Sequence, residues 1–120
     1  MNHKLSLWLT ICLLALPLRT SALEEVGTEI LNTCLSERQA LIGDPTAAIR
    51  YGLCLGYLKG IADTLNGTEF CLPETGETAI ITQRLKQAYV SYALEHKNAL
   101  RKPAIQTLVP ALKNTFPCSR

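Results

Sequence analysis

The chain of 120 residues contains little of what marks a nucleic-acid-binding protein or a disordered polypeptide. Aromatic residues make up 6% of it, the formal net charge is only +2, and Lys and Arg form no block. Nucleic-acid readers usually carry a basic patch or stripe, so no nucleic-acid partner is expected. A hydrophobic content of 48% is also too high for a disordered polar chain. The length is that of one domain.

Catalytic and metal-binding patterns are missing as well. The sequence has two histidines, and it has no HExxH motif, EF-hand spacing or phosphate-binding glycine loop. A Ser-His-Asp arrangement would depend on His96, which has no nucleophile motif near it. A carboxylate pair for glycoside chemistry could be assembled from Glu69, Glu74 and Glu77, but a solvated acidic loop explains these residues more simply. An enzyme that uses Glu74 or Glu77 with Asp63 is a minor alternative. We therefore expect a protein that is not an enzyme and that needs no catalytic residue, cofactor or metal.

The N-terminal residues 1–22 have the three-part pattern of a secretory signal peptide. Lys4 supplies a basic start, residues 5–16 form an apolar run, and small residues precede a plausible cut after Ala22. An apolar run of about a dozen residues is shorter than the roughly 20 that a membrane span needs. We therefore expect an exported domain of residues 23–120 without a membrane anchor after cleavage.

Four cysteines remain in the expected mature chain, and their spacing favours two disulfide bonds. An even number of cysteines in a small exported domain is typical of a disulfide framework. The gaps are far wider than the roughly two to four residues that separate paired ligands of structural zinc. Three pairings are open, and we prefer the one in which each bond joins neighbouring elements without crossing the other. This pairing is Cys34 with Cys54 and Cys71 with Cys118.

The hydrophobic spacing predicts an all-α fold, a small disulfide-linked bundle of about four helices after the signal peptide. We expect helices at about 24–35, 45–65, 78–96 and 103–116, with residues 36–43 as a linking loop or a ragged helical turn. No segment has the pattern of a strand. Pro110 lies inside the last predicted helix and should kink or divide it, because proline cannot donate the helical hydrogen bond.

The second predicted helix carries the clearest signals in the chain. Asp44 is a good N-cap, and Pro45 suits the first helical position. Apolar residues repeat every fourth position and fill most of the other positions, so a central, buried helix is expected. The repeating residues are Ile49, Leu53, Tyr57, Ile61 and Leu65.

Three glycines lie four residues apart in this helix, at Gly52, Gly56 and Gly60. Each destabilises a helix interior by about 1 kcal/mol relative to Ala. Their spacing indicates a smooth ridge to which another backbone comes close. We favour packing within the monomer, and the association of two copies is the alternative.

Residues 54–63 read Cys-Leu-Gly-Tyr-Leu-Lys-Gly-Ile-Ala-Asp. This C-x-G-Y-x-x-G-x-x-D pattern resembles a helix of the Rap/Tai family, which are immunity proteins against type VI secretion amidase effectors. The resemblance covers about residues 31–118. It departs at Lys97, where the family often has proline, and at residues 74–78, which are longer than the usual Gly-Val-Thr turn. The other matching positions are Phe70-Cys71-Leu72-Pro73, Gln83, Tyr89, Tyr92, His96, Lys102-Pro103-Ala104 and Phe116-Pro117-Cys118.

The resemblance implies a periplasmic, mostly helical protein, often a homodimer, that binds a secreted peptidoglycan amidase and blocks its active-site cleft. From charge and expected exposure, we predict that the connection between the last two helices contacts the partner. Its residues are His96, Lys97, Asn98 and Arg101, with Asn98 and Arg101 as polar anchors. The alternative is a periplasmic chaperone or stress-binding protein without a cognate amidase.

Overall fold

A computed structural model describes residues 26–119, and this part of the chain is all-α with no strand, as the sequence predicts. The expected signal peptide, residues 1–22, lies outside the described residues. No helix within residues 26–119 is long and apolar enough to span a membrane. The four main helices are α1 (Gly27–Cys34), α3 (Pro45–Leu65), α4 (Thr78–Glu95) and α5 (Ile105–Thr115).

Two short helical elements complete the fold. The five-residue helix α2 (Glu37–Leu41) lies between α1 and α3, where the sequence suggested a loop or a ragged turn. A 3₁₀ helix (Lys97–Arg101) lies between α4 and α5, in the segment that was predicted to be a connection between the last two helices. Pro110 does not divide the last helix, since α5 is continuous around it.

The ends of α3 follow the predicted capping chemistry. The Asp44 carboxylate accepts hydrogen bonds from the backbone N–H groups of Thr46 and Ala47, at 2.9 and 3.1 Å. Pro45 occupies the first helical position, where its missing N–H has no bond to lose. Gly67 follows the helix with a φ of 86°, a left-handed conformation that favours glycine. Local sequence thus sets both ends of the longest helix.

The core lies between α4 and the elements that pack around it. Tyr89 and Leu85 of α4 are fully buried, and Phe70 enters the same cluster from the loop after α3. Helix α5 contributes Leu108 and Leu112, both of which are also fully buried. Since every main helix supplies buried apolar side chains to one cluster, the described residues form a single core.

Two disulfides join elements that are distant in the chain, in the pairing that the sequence favours. Cys34–Cys54 ties α1 to α3 with its Cα atoms 5.0 Å apart, and both residues are buried. Cys71–Cys118 ties the loop after α3 to the chain after α5, with its Cα atoms 4.8 Å apart. The chain-entropy formula gives about 3 kcal/mol of stabilisation for the first loop and about 4 kcal/mol for the second.

Helix α3 is not the buried central helix that its apolar composition predicted. Its buried residues lie on one face, while Ile49 and Leu53 are 68% and 61% exposed. A Cβ built on Gly52, Gly56 or Gly60 would meet nothing within 4 Å. Packing within the monomer therefore does not explain these glycines, and that interpretation was wrong.

The start of α1 is docked closely on the 3₁₀ helix. The Gly27 N–H donates to the Lys102 carbonyl at 2.9 Å, and the Thr28 hydroxyl donates to the Leu100 carbonyl at 3.0 Å. The buried Tyr89 hydroxyl donates to the Gly27 carbonyl at 3.1 Å. A Cβ on Gly27 would lie only 3.1 Å from the Leu100 Cα and 3.2 Å from its carbonyl oxygen. Only glycine lets the two backbones approach this closely.

Replacing Gly27 with alanine should therefore destabilise the protein. The new Cβ would press on the backbone of Leu100, which moves less easily than a side chain, so we expect a loss of about 1–3 kcal/mol. Urea unfolding of Gly27→Ala and wild type measures the difference. Asn32→Ala, at an exposed position of the same helix, is the control and should stay within about 0.5 kcal/mol of wild type. Equal stability of Gly27→Ala and wild type would contradict the docking.

Candidate partner-binding surface

The four residues predicted to contact a partner lie together at the end of α4 and on the 3₁₀ helix. All four, His96, Lys97, Asn98 and Arg101, are exposed, while Leu100 between them is buried against the core. Three of the four line an open groove of about 530 Å³. The groove is lined by Leu94, Glu95, His96, Lys97, Asn98, Ala99 and Lys102.

The His96 ring is fixed against the end of α4. It stacks on the Tyr92 ring with the ring centroids 3.8 Å apart and the planes 11° apart. Its Nδ1 lies 2.8 Å from the Tyr92 carbonyl oxygen. Since a carbonyl only accepts, Nδ1 is the donor, and Nε2 of the neutral ring is left as an acceptor. An exposed histidine held in one orientation is a suitable group for a specific polar contact.

The surface around the 3₁₀ helix is basic. It carries Lys97, Arg101 and Lys102, all exposed, and none of them takes part in the ion pairs found among residues 26–119. Glu95 is the carboxylate that lines the same groove. The free cations make this surface complementary to an acidic rim on a partner.

The carboxylates considered for catalysis are accounted for by an ion pair, the start of a helix and an exposed loop. Asp63 pairs with Lys59 of the same helix, one turn away, at 2.6 Å. Glu77 is the residue before the first turn of α4, and Glu74 is exposed in the preceding loop. Within residues 26–119, no three His, Cys, Asp or Glu side chains stand close enough together to hold a metal ion.

A polar cluster that the sequence did not reveal joins α2, α3 and α4. One Glu37 carboxylate oxygen accepts from the Tyr51 hydroxyl at 2.8 Å and from the Gln83 amide at 3.2 Å. The other accepts from the buried Lys86 ammonium. The sequence does not predict this cluster. Glu37 lies in a segment without clear helical periodicity, and nothing in the sequence around Lys86 marks it as buried.

The cluster shifts the pKa values of two of its members. The hydrogen bond from Lys86 lowers the pKa of Glu37, and burial opposes this effect. Burial, assisted by the hydrogen bond to Glu37, raises the pKa of Tyr51 to about 12. The buried Lys86 ammonium is paired with the partly exposed Glu37 carboxylate, so the cluster fixes α2 to α4 rather than offering a free charge to a ligand.

The stabilisation from Glu37 should depend on pH. Because its pKa is lower in the folded than in the unfolded protein, the contribution is complete above the unfolded value and disappears as pH falls through the folded value. Glu37→Gln removes the charge, so we expect a loss of about 1–3 kcal/mol at pH 7 that shrinks as the pH falls below about 4 and vanishes only below the lowered pKa of Glu37. Urea unfolding across this range measures it, with Glu74→Gln in the exposed loop as the control. A loss of equal size at pH 7 and at low pH would contradict this role.

Comparison with known proteins supports the resemblance found in the sequence. A family model described as Rap1a immunity proteins matches residues 26–118, which is nearly the whole of the described domain. No curated protein and no solved structure matches the chain. The matched range contains both disulfides, the four main helices and the exposed 3₁₀ helix. The chain therefore belongs to the family of Rap1a immunity proteins.

Proposed function

We propose that this protein is a periplasmic immunity protein that binds a peptidoglycan amidase delivered by type VI secretion and blocks its active-site cleft. Membership of the family implies protection against a secreted effector. The resemblance of residues 54–63 and of the later matching positions to the Rap/Tai pattern supports an amidase as that effector. The observation that carries the proposal is the exposed, basic 3₁₀ helix, which the Gly27 N–H and the Thr28 hydroxyl at the start of α1 hold in place.

The way this helix is held suits an inhibitor. A group that enters a cleft loses affinity if it must first be ordered, and a rigid element avoids most of that loss. The Lys102 and Leu100 carbonyls are both bonded to the start of α1, and the Leu100 side chain is buried. Asn98 and Arg101 are therefore presented from an ordered backbone, where they can donate hydrogen bonds to the amidase.

The covalent chemistry supports the periplasm as the compartment. Two disulfides form and persist in an oxidising environment such as the periplasm. We propose that residues 1–22 direct export and are then removed, which would leave residues 23–120 as the mature domain. We also propose that two copies associate in a homodimer, as the family resemblance implies.

The cognate amidase can be found by capture. The oxidised protein, immobilised and exposed to periplasm from cells that express candidate secreted amidases, should retain one of them in equimolar amount. The retained amidase should lose its activity on peptidoglycan peptides. Capture of many unrelated proteins, with no inhibited amidase among them, would favour the chaperone function instead.

The contact surface is tested with a double variant, Asn98→Ala with Arg101→Ala. Each lost hydrogen bond to a charged or polar group is worth about 1–3 kcal/mol, so we expect the loss of two to weaken inhibition of the captured amidase by roughly thirtyfold to ten-thousandfold. Titration of amidase activity against the inhibitor measures this. The matched control is Asn32→Ala with Arg38→Ala, an exposed Asn and Arg on α1 and α2, which should inhibit like wild type. Unchanged inhibition by the Asn98 and Arg101 variant would contradict the proposed surface.

A further inference from the structure

A polar groove of about 350 Å³ runs between α4 and α5. The side chains that α4 contributes to it are spaced by three and four positions, from Arg84 to Glu95, so they lie along one face of the helix. Helix α5 contributes the opposite wall near its C-terminal end. The volume falls within the roughly 300–1,000 Å³ that binding sites for small ligands occupy.

Arg84 supplies a positioned cation at one end of the groove. Its guanidinium carbon lies 4.9 Å from the centre of the Phe116 ring. Phe116 is buried, and its carbonyl accepts a hydrogen bond from the N–H of the disulfide-bonded Cys71 at 2.9 Å. Arg84 takes part in none of the ion pairs found among residues 26–119. A guanidinium that lies over a ring keeps the N–H donors at its edge for a carboxylate, which it can bind with two hydrogen bonds.

Glu95 supplies an exposed carboxylate at the other end of the groove. It too is absent from the ion pairs of the described residues. Glu95 is the last residue of α4, where the helix dipole favours a cation rather than a carboxylate. The carboxylate and the dipole therefore both favour an ammonium group at this end. Lys97 and Lys102 line the neighbouring groove together with Glu95, and neither of them lines this one.

Neutral hydrogen-bonding groups lie between these two charges. Gln87 and Asn114 carry amides, which donate and accept, and Ser91 adds a hydroxyl. None of these three side chains is hydrogen-bonded to another residue within 26–119. The small side chains of Ala88 and Ala111 leave room for a ligand between the two helices. Such a lining matches the alternating N–H and C=O groups of a peptide backbone.

We propose that this groove binds a short, extended peptide with free ends, whose carboxylate contacts Arg84 and whose amino group contacts Glu95. The two residues are eleven positions apart in one helix, which places their Cα atoms about 16 Å apart. An extended chain spans about 3.3–3.6 Å per residue, so four residues cover about 13–14 Å, and the Arg and Glu side chains can reach across the remainder. The peptide is complementary to the groove in length, in hydrogen bonding and in the sign of the charge at each end.

The two opposite charges discriminate between classes of small ligand. A ligand that is negative at both ends would be attracted at Arg84 and repelled at Glu95, and a ligand that is positive at both ends would meet the reverse. A peptide with free ends satisfies both positions. This site goes beyond the proposed inhibition of an amidase, because its lining belongs to α4 and α5 and does not include the polar anchors Asn98 and Arg101.

Isothermal titration calorimetry with tetra-alanine as the probe tests the site. The oxidised protein, purified after export, should bind tetra-alanine with free ends at one site per chain. Tetra-alanine amide lacks the carboxylate and acetylated tetra-alanine lacks the charged amino group, so each should bind at least about tenfold more weakly. These changes are made in the peptide alone, so altered folding of the protein cannot account for them.

Matching variants of the protein assign each end of the peptide. Arg84→Gln should bind tetra-alanine at least about tenfold more weakly and should no longer distinguish it from the amide. Glu95→Gln should likewise no longer distinguish tetra-alanine from its acetylated form. The control is Arg50→Gln, at an exposed position of α3, which should bind all three peptides like wild type. Circular dichroism establishes that each variant is folded.

Absence of saturable tetra-alanine binding at millimolar concentration would overturn the proposal, as would equal binding of the acid and the amide by wild type. A folded Arg84→Gln protein that still distinguishes the acid from the amide as wild type does would also overturn it. The peptide titration uses no effector, so its outcome is separate from that of the amidase experiments. A protein that inhibits a captured amidase but does not bind tetra-alanine would contradict this site alone.

Discussion

The backbone contact between the start of α1 and the 3₁₀ helix is the constraint on which the candidate surface depends. Gly27 is the residue that lets the two backbones meet, and hydrogen bonds to Lys102 and Leu100 hold them there. The disulfide at Cys34 anchors the other end of α1 to α3. Through these contacts, an exposed turn of only five residues becomes part of a rigid frame rather than a loose connection.

This frame suits the proposed function of binding and inhibiting an effector. Inhibition requires that a few polar side chains be held in a fixed arrangement, and it requires no reacting group. Disulfides compensate for the limited core that a domain of this size can bury. The polar cluster around Glu37 is occupied in joining three helices. What remains accessible is a basic surface at the end of α4 and an apolar, glycine-lined face on α3.

Local signals in the sequence predicted much of this fold. Asp44 and Pro45 mark the start of α3, Gly67 marks its end, and the cysteine spacing favours the pairing that the structure shows. The exposure of the α3 face was not predicted, because periodicity shows that a position is apolar but not whether its own chain covers it. The Glu37 cluster was missed for a related reason, since its partners are distant in sequence and meet only when α2 docks on α4.

Amide hydrogen exchange of the oxidised protein, alone and bound to its captured amidase, tests the central claim most directly. The account predicts that added protection on binding is concentrated at residues 95–102, at the end of α4 and along the 3₁₀ helix. It also predicts that exchange along α3 is unchanged, because the proposed contact surface belongs to other elements. Protection confined to α3, or to the α1 and α2 region with residues 95–102 unaffected, would contradict the account.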